Sequence, residues 1–136
     1  MEIILAENHG FCYGVKRAVE MANEAAEGKG KSYTLGPIIH NPQVVGRLES
    51  KGVSPIQEVA DIDEGTMIIR SHGVGPAIYA EAEEKGLHIL DATCPHVKKA
   101  QQDAKSVIED GMTLVILGEK NHPEVKSINL WANNKE

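Results

Sequence analysis

The sequence has no long hydrophobic run, and that absence bounds where the protein works. No apolar stretch approaches the length of a bilayer span, and the short run from Met1 to Ala6 has no basic segment before it. We therefore expect neither a membrane helix nor a signal peptide, and the cytoplasm is the default location.

Basic residues are also scarce, because 14 lysines and arginines face 20 acidic residues and the net charge is -6. A protein that binds a nucleic-acid backbone normally presents a basic face. The composition therefore argues against a nucleic-acid partner, and any anionic ligand must be held locally.

Cysteine is limited to Cys12 and Cys94, which lie far apart in the chain. Without a secretory signal they are more plausible as reduced thiols or metal ligands than as a disulfide. Two thiols are too few for a structural zinc site, which needs four ligands, or for an iron–sulfur cluster, which usually needs three or four cysteines.

What is present is an ordinary globular composition of 136 residues, 41% hydrophobic and 25% charged, in which strand and helix patterns alternate. The alternation predicts an α/β fold with a mostly parallel sheet. Predicted strands lie at 2–6, 33–35, 67–69, 87–90 and 114–117, and predicted helices follow Cys12, Asn41, Pro76 and Cys94.

The chain contains an internal repeat at an offset of 82 residues. Cys12-Tyr-Gly-Val-Lys-Arg-Ala matches Cys94-Pro-His-Val-Lys-Lys-Ala, and Leu35-Gly36 with His40 matches Leu117-Gly118 with His122. Two unrelated units would share a helix pattern but not a cysteine and a histidine in step. We predict pseudo-symmetric lobes, the first at 1–93 and an incomplete second at 94–136.

Five predicted strand-to-helix loops carry, in order, Cys12, His40, His72, Cys94 and His122. In open α/β sheets ligands bind beyond the carboxyl ends of the strands, so these loops should face one central site. His88 lies inside a predicted strand and is more often a structural histidine.

The three loop histidines suit an anion such as a phosphate or diphosphate, because each sits where a helix begins. The plainer alternative is that they only cap helices. Glu124, in the first turn after His122, could relay a proton or could simply be an acid favoured at a helix start.

The two thiols suggest a third, since a duplicated unit that contributes one cysteine each implies a third unit about a pseudo-threefold axis. Three thiolates on a [4Fe-4S] cluster would leave one iron open for substrate. The alternative is a pair of buried structural cysteines, because cysteine is among the most buried residue types.

Five segments together carry a specific resemblance to the LytB/IspH family, the 4-hydroxy-3-methylbut-2-enyl diphosphate reductases. They are Gly10–Ala18, Tyr33–Pro42, Ile69–Gly73, Asp91–Pro95 and Gly118–Val125, and the resemblance runs from residue 3 to about residue 125. It implies a three-lobed α/β fold and reduction of an allylic alcohol to isopentenyl and dimethylallyl diphosphate, the last step of the methylerythritol phosphate route.

The resemblance also implies roles for single residues. Cys12 and Cys94 would be ligands of a [4Fe-4S] cluster, His40, His72 and His122 would hold the diphosphate, and Glu124 would supply protons. Ferredoxin or flavodoxin would deliver two electrons singly.

The chain departs from that family in two ways. The family's third cysteine belongs to a carboxy-terminal half that this chain lacks, so the chain resembles a truncated form. The family usually has glycines where Ser127 and Leu130 stand, so the tail after Val125 is expected to be altered or foreign. Two alternatives are a non-catalytic metal- or phosphate-binding module and, ranked last, a hydrolase with a Cys–His pair.

Overall fold

The computed structural model describes residues 1–28 and 30–132, which form helices and short strands in alternation. The strands are β1 (Ser32–Leu35), β2 (Val53–Ile56), β3 (Thr66–Ile69) and β4 (His88–Asp91). The helices are α1 (Tyr13–Glu27), α2 (Pro42–Glu49), α3 (Pro76–Glu84), α4 (Pro95–Glu109) and α5 (Pro123–Trp131), with a 3₁₀ turn at Val59–Asp61.

The four strands make one parallel sheet in the order β2-β1-β3-β4. Because all strands run the same way, their carboxyl ends meet at a single edge, and the loops that follow β1, β3 and β4 leave the sheet there. The predicted α/β class with a parallel sheet is confirmed.

Both faces of the sheet are covered, and β3 at its centre shows why. Ile68 packs with Ala18, Ala22 and Leu48, whereas Met67 and Ile69 face the opposite cluster. Successive side chains of a strand point to opposite faces, so a run of buried apolar residues fits a strand with helices on both sides. These three residues of β3 are fully buried.

Strand β2 is an element that the sequence patterns did not predict. It pairs only with β1 and lies at the sheet's edge, where Pro55 is tolerated because one side of an edge strand donates no ladder hydrogen bonds. Pro55 is the reason that the sequence pattern did not predict this strand, since all four strands have the same length of four residues.

Two predicted strands do not form. Residues 2–6 and 114–117 have no strand pairing, and Ile4 is 83% and Leu117 94% exposed. A strand depends on a neighbour for its ladder, and neither segment pairs with one in the described part of the chain. A cavity of about 530 Å³ lies instead between residues 114–118 and α5.

The helices follow the 82-residue offset closely. α1 and α4 have 15 residues each, start one residue after Cys12 and Cys94, and differ by 82 at both ends. All four strands lie within 1–93, while 94–136 contributes α4 and α5. The division into two lobes stays a prediction. None of the described helices is long and apolar enough to cross a bilayer.

Candidate functional site

Three of the predicted site residues lie in loops that follow strands at the carboxyl edge of the sheet. His40 follows β1, His72 follows β3 and Cys94 follows β4. Cys12 and His122 instead follow the two segments that form no strand, so the expectation of five strand-to-helix loops is wrong for these two. His88 begins β4, at the other end of the strand from Cys94, and is exposed.

The structure brings the three loop histidines together. The ring centroids of His40 and His72 are 4.6 Å apart, those of His72 and His122 are 5.5 Å apart, and those of His40 and His122 are 5.9 Å apart. One nitrogen from each ring lies within 4.8 Å of the others. We call these residues the histidine cluster; its members come from three separate loops, which folding alone brings into contact.

A backbone hydrogen bond selects the tautomer of the neutral His122 ring. His122 is the N-cap of α5, and its Nδ1 accepts a hydrogen bond from the Glu124 backbone N–H at 3.3 Å. A neutral imidazole that accepts through Nδ1 carries its proton on Nε2. His122 therefore presents a donor away from its own helix, as an anion site requires.

His72 is held neutral. Its Nδ1 is buried without a hydrogen-bond partner in the described residues. Its pKa is lowered to about 4, first by burial and then by the charges of His40, Arg70 and His122. An anion bound at this ring would favour the charged form and would reverse the shift.

Helix α5 forms hydrogen bonds to the loop that carries His72. Sequence patterns did not predict these hydrogen bonds. The Ser127 hydroxyl is shared between the carbonyls of His72 at 2.8 Å and Glu124 at 2.9 Å. The Trp131 indole N–H donates to the Val74 carbonyl at 2.8 Å. Because α5 also begins at His122, this docking fixes His122 and His72 relative to each other.

The two cysteine-bearing helices meet at Gly14. A Cβ added to Gly14 would lie 2.9 Å from the Cys94 Cβ, so only glycine lets α1 approach this closely. Arg17 donates to the Thr93 carbonyl at 3.3 Å, which joins α1 to the loop before Cys94. The Cys94 backbone N–H in turn donates to the Ser71 carbonyl at 2.9 Å, beside His72.

Asp91 anchors the loop before Cys94. Its carboxylate accepts from the Thr93 backbone N–H and the Tyr79 hydroxyl, both at 2.9 Å, and pairs with Lys98 at 2.6 Å. Burial alone would raise the pKa of Asp91, but the hydrogen bonds from Lys98, Thr93 and Tyr79 outweigh burial and lower it. Burial, followed by the charge of Asp91, raises the pKa of Tyr79.

Thiols are suitable ligands for a soft metal centre, but this chain has fewer of them than an iron–sulfur cluster usually needs. Both are free, Cys12 exposed and Cys94 half-buried, and neither caps its helix through a side-chain hydrogen bond. A cubane cluster needs three or four such donors, and the sequence holds two. The two thiols alone therefore fall short of the usual ligand number of a cubane cluster.

A cavity of about 220 Å³ lies beside the histidine cluster and close to Cys12. It is bordered by Phe11, next to Cys12, and by Ser71, His40 and His72. Glu124 is half-buried in the first turn of α5, and its backbone contacts His122 and Ser127. Its carboxylate is not part of the histidine cluster.

Comparison with known proteins identifies the lineage. A family model described as LytB protein matches residues 3–136. The match passes Val125 and reaches the last residue, so the expectation that the tail is foreign is wrong.

Two curated relatives are both named 4-hydroxy-3-methylbut-2-enyl diphosphate reductase. The one from Geotalea uraniireducens is 53% identical over 99% of this chain and 48% of its own length. The one from Geobacter sulfurreducens is 54% identical over 97% of this chain and 47% of its own length.

Solved structures agree with these relatives. A structure of (E)-4-hydroxy-3-methyl-but-2-enyl diphosphate reductase, described as the terminal enzyme of the non-mevalonate pathway, has a TM-score of 0.85 at 48% identity, covering 96% of this chain and 47% of the other. The Plasmodium falciparum reductase has a TM-score of 0.89 at 33% identity, covering 93% and 41%. The chain spans about half the length of the relatives it matches, and it belongs to the LytB family.

Proposed function

We propose that this chain carries the amino-terminal part of the site that reduces 4-hydroxy-3-methylbut-2-enyl diphosphate to isopentenyl and dimethylallyl diphosphate. The observation that carries the proposal is the histidine cluster, in which rings from three loops lie 4.6–5.9 Å apart at the sheet edge. The names of the relatives supply the substrate.

In this proposal the diphosphate is held by His40, His72 and His122. The Nε2 proton of His122 donates to a phosphate oxygen, because its Nδ1 is already occupied by the Glu124 N–H. His72 takes up a proton or donates its own as the anion approaches, which reverses the burial effect on its pKa. The cluster therefore holds the charged end of the substrate.

Cys12 and Cys94 would hold a [4Fe-4S] cluster together with a third ligand from outside these 136 residues. When bound, that cluster supplies the electrons, taken singly from a ferredoxin or a flavodoxin. Gly14 serves this arrangement by letting the start of α1 approach Cys94. We place the reaction in the cytoplasm.

Glu124 is proposed to supply protons. The reduction adds two electrons and two protons, breaks the carbon–oxygen bond, leaves a hydrogen on the allylic carbon skeleton and releases the hydroxyl as water. Glu124 follows His122 by two residues, so a diphosphate at the histidine cluster would bring the substrate near the start of α5. A carboxyl at that place is suited to general acid catalysis.

A second candidate function is a non-catalytic metal-binding module, and one observation favours it. Three imidazole nitrogens within 4.8 Å of one another resemble a metal-ligand set. The His122 tautomer opposes it, because a ring that accepts through Nδ1 carries a proton on Nε2, where the metal would bind.

Two measurements test the proposal. Anaerobic purification with iron and sulfide analysis should find iron with the chain and its complementing half; a colourless, zinc-loaded protein would contradict the cluster assignment. Calorimetric titration with inorganic diphosphate should show binding that His40→Ala weakens at least tenfold. The matched control is His88→Ala, an exposed histidine at the far end of β4, which should leave the affinity unchanged.

A further inference from the structure

Arg70 is a motif residue that the proposed function leaves without a role. It follows the last residue of β3 and stands two residues before His72. Its side chain is half-buried, and its Nε is buried without a hydrogen-bond partner among the described residues. Within residues 1–28 and 30–132 no carboxylate pairs with it.

An unpaired guanidinium is costly in a partly buried position. Arginine keeps its charge under all ordinary conditions and offers five donors. Taking such a group out of water without a partner carries a large penalty, so proteins usually neutralise it. Burial also lowers the pKa of Arg70, though the group stays charged. The fold therefore keeps a positive charge here for which it supplies no counter-charge.

The position of this charge is fixed by the loops that carry the histidines. A Cβ at Gly36 would lie 2.6 Å from Arg70 Nη1 and 3.3 Å from its Cζ, so the guanidinium lies directly on the glycine of the His40 loop. Gly36 has φ of +70°, which glycine adopts readily. Arg70 thus lies between the loop of His40 and the loop of His72.

Arg70 also borders a cavity that reaches all three loops, although His40 and His72 line a separate cavity. A cavity of about 240 Å³ is bordered by Arg70, by Gly36 and Gly73 from the first two loops and by Pro123 next to His122. Its other charged neighbour is Lys126, and no acidic residue borders it. The cavity therefore offers positive charge and donors to an anion.

We propose that Arg70 supplies the fixed positive charge with which the histidine cluster binds an anionic, phosphate-bearing ligand. The role rests on the proposed function, because the diphosphate is the anion it would attract. His72 alone contributes little charge near neutral pH, since its pKa is about 4. A permanent cation two residues away in the same loop attracts an anion and repels a metal ion, so Arg70 also distinguishes the two candidate functions.

The test is calorimetric titration of the chain with inorganic diphosphate at pH 8. Arg70→Gln should weaken binding at least tenfold, whereas Arg70→Lys, which keeps the charge, should stay within threefold of the unchanged chain. The matched control is Arg47→Gln, which removes an equal charge from an exposed position in the last turn of α2 and should change affinity less than twofold. Circular dichroism establishes that each variant is folded.

A second measurement needs no variant. In the ¹⁵N-labelled chain the Nε–H signal of Arg70 should shift when diphosphate is added, while those of Arg17 and Arg47, the other arginines, should not. Binding that is equally strong in Arg70→Gln, equal losses in the Gln and Lys variants, or an unmoved Arg70 signal would overturn this role alone. No binding by the unchanged chain would overturn the proposed function as well.

Discussion

The two copies of the internal repeat keep their helices and differ in the segment between them. In the first copy, α1 leads to a buried strand, β1, and then to α2; in the second, α4 leads to the exposed segment 114–117 and then to α5. Leu35 is 7% exposed, and Leu117, its counterpart at the 82-residue offset, is 94% exposed. Similar sequences therefore give the same helices, but only the first copy forms a strand between them.

The difference follows from what each element needs. A helix satisfies its own backbone and requires only a start, such as the Asn41 cap or a proline at its first turn. The backbone groups of a strand form their hydrogen bonds with neighbouring strands. β1 has β2 and β3 beside it, whereas 114–117 pairs with no strand of the described chain.

The largest effect should separate the two leucines. Leu35→Ala should lower the free energy of unfolding by about 2–5 kcal/mol, because it leaves a cavity in a packed core. Leu117→Ala should change it by less than about 0.5 kcal/mol, because that side chain is already in water. Urea unfolding of both variants makes the measurement; equal losses would show that the second segment is packed like the first.

A smaller effect should distinguish the loops that precede the two cysteines. Asp91→Asn should cost about 1–3 kcal/mol, because an amide has a single acceptor oxygen and cannot accept from the Thr93 N–H on one side and from Lys98 and Tyr79 on the other. His9, its counterpart at the offset, is exposed and contacts the Ala6 carbonyl, so His9→Asn should change the free energy of unfolding by less than about 0.5 kcal/mol.

The same substitution should change the pH dependence of stability. The folded protein lowers the pKa of Asp91, so its contribution is present above the unfolded pKa and is lost as the pH falls through the folded value. Asp91→Asn should therefore flatten the loss of stability below about pH 4. A variant as acid-sensitive as the unchanged chain would contradict this assignment.

The smallest effect concerns the caps of α2 and α5. Asn41→Ala should cost about 1 kcal/mol, because the Asn41 side chain accepts from the Val44 N–H at 3.0 Å. His122→Asn keeps a side-chain acceptor at the cap and should change stability by less than about 0.5 kcal/mol, yet it removes a ring from the histidine cluster. Urea unfolding and diphosphate titration together separate capping from binding; unchanged binding would assign His122 to capping alone.

Sequence patterns predicted the elements whose signals are local. The Asn41-Pro42 and Cys94-Pro95 pairs predicted helix starts, and the apolar run at 67–69 predicted a strand. Patterns gave the wrong result where strand formation depends on pairing with another strand. This applies to the edge strand with Pro55 and to segments 2–6 and 114–117.

The sequence predicted which residues share the site but not their protonation pattern or pairing. Loop order predicted that His40, His72 and His122 would share an edge, and the rings are indeed in contact. The His122 tautomer depends on a backbone contact, and the unpaired charge of Arg70 depends on burial. Both are properties of the folded chain that no spacing of residues reveals.

Titration of His72 decides whether the histidine cluster binds an anion. Followed by NMR, the free chain should show a His72 pKa of about 4, and saturating inorganic diphosphate should raise it, because a bound negative charge favours the protonated ring. The same pKa with and without diphosphate would show that the anion does not bind at the histidine cluster.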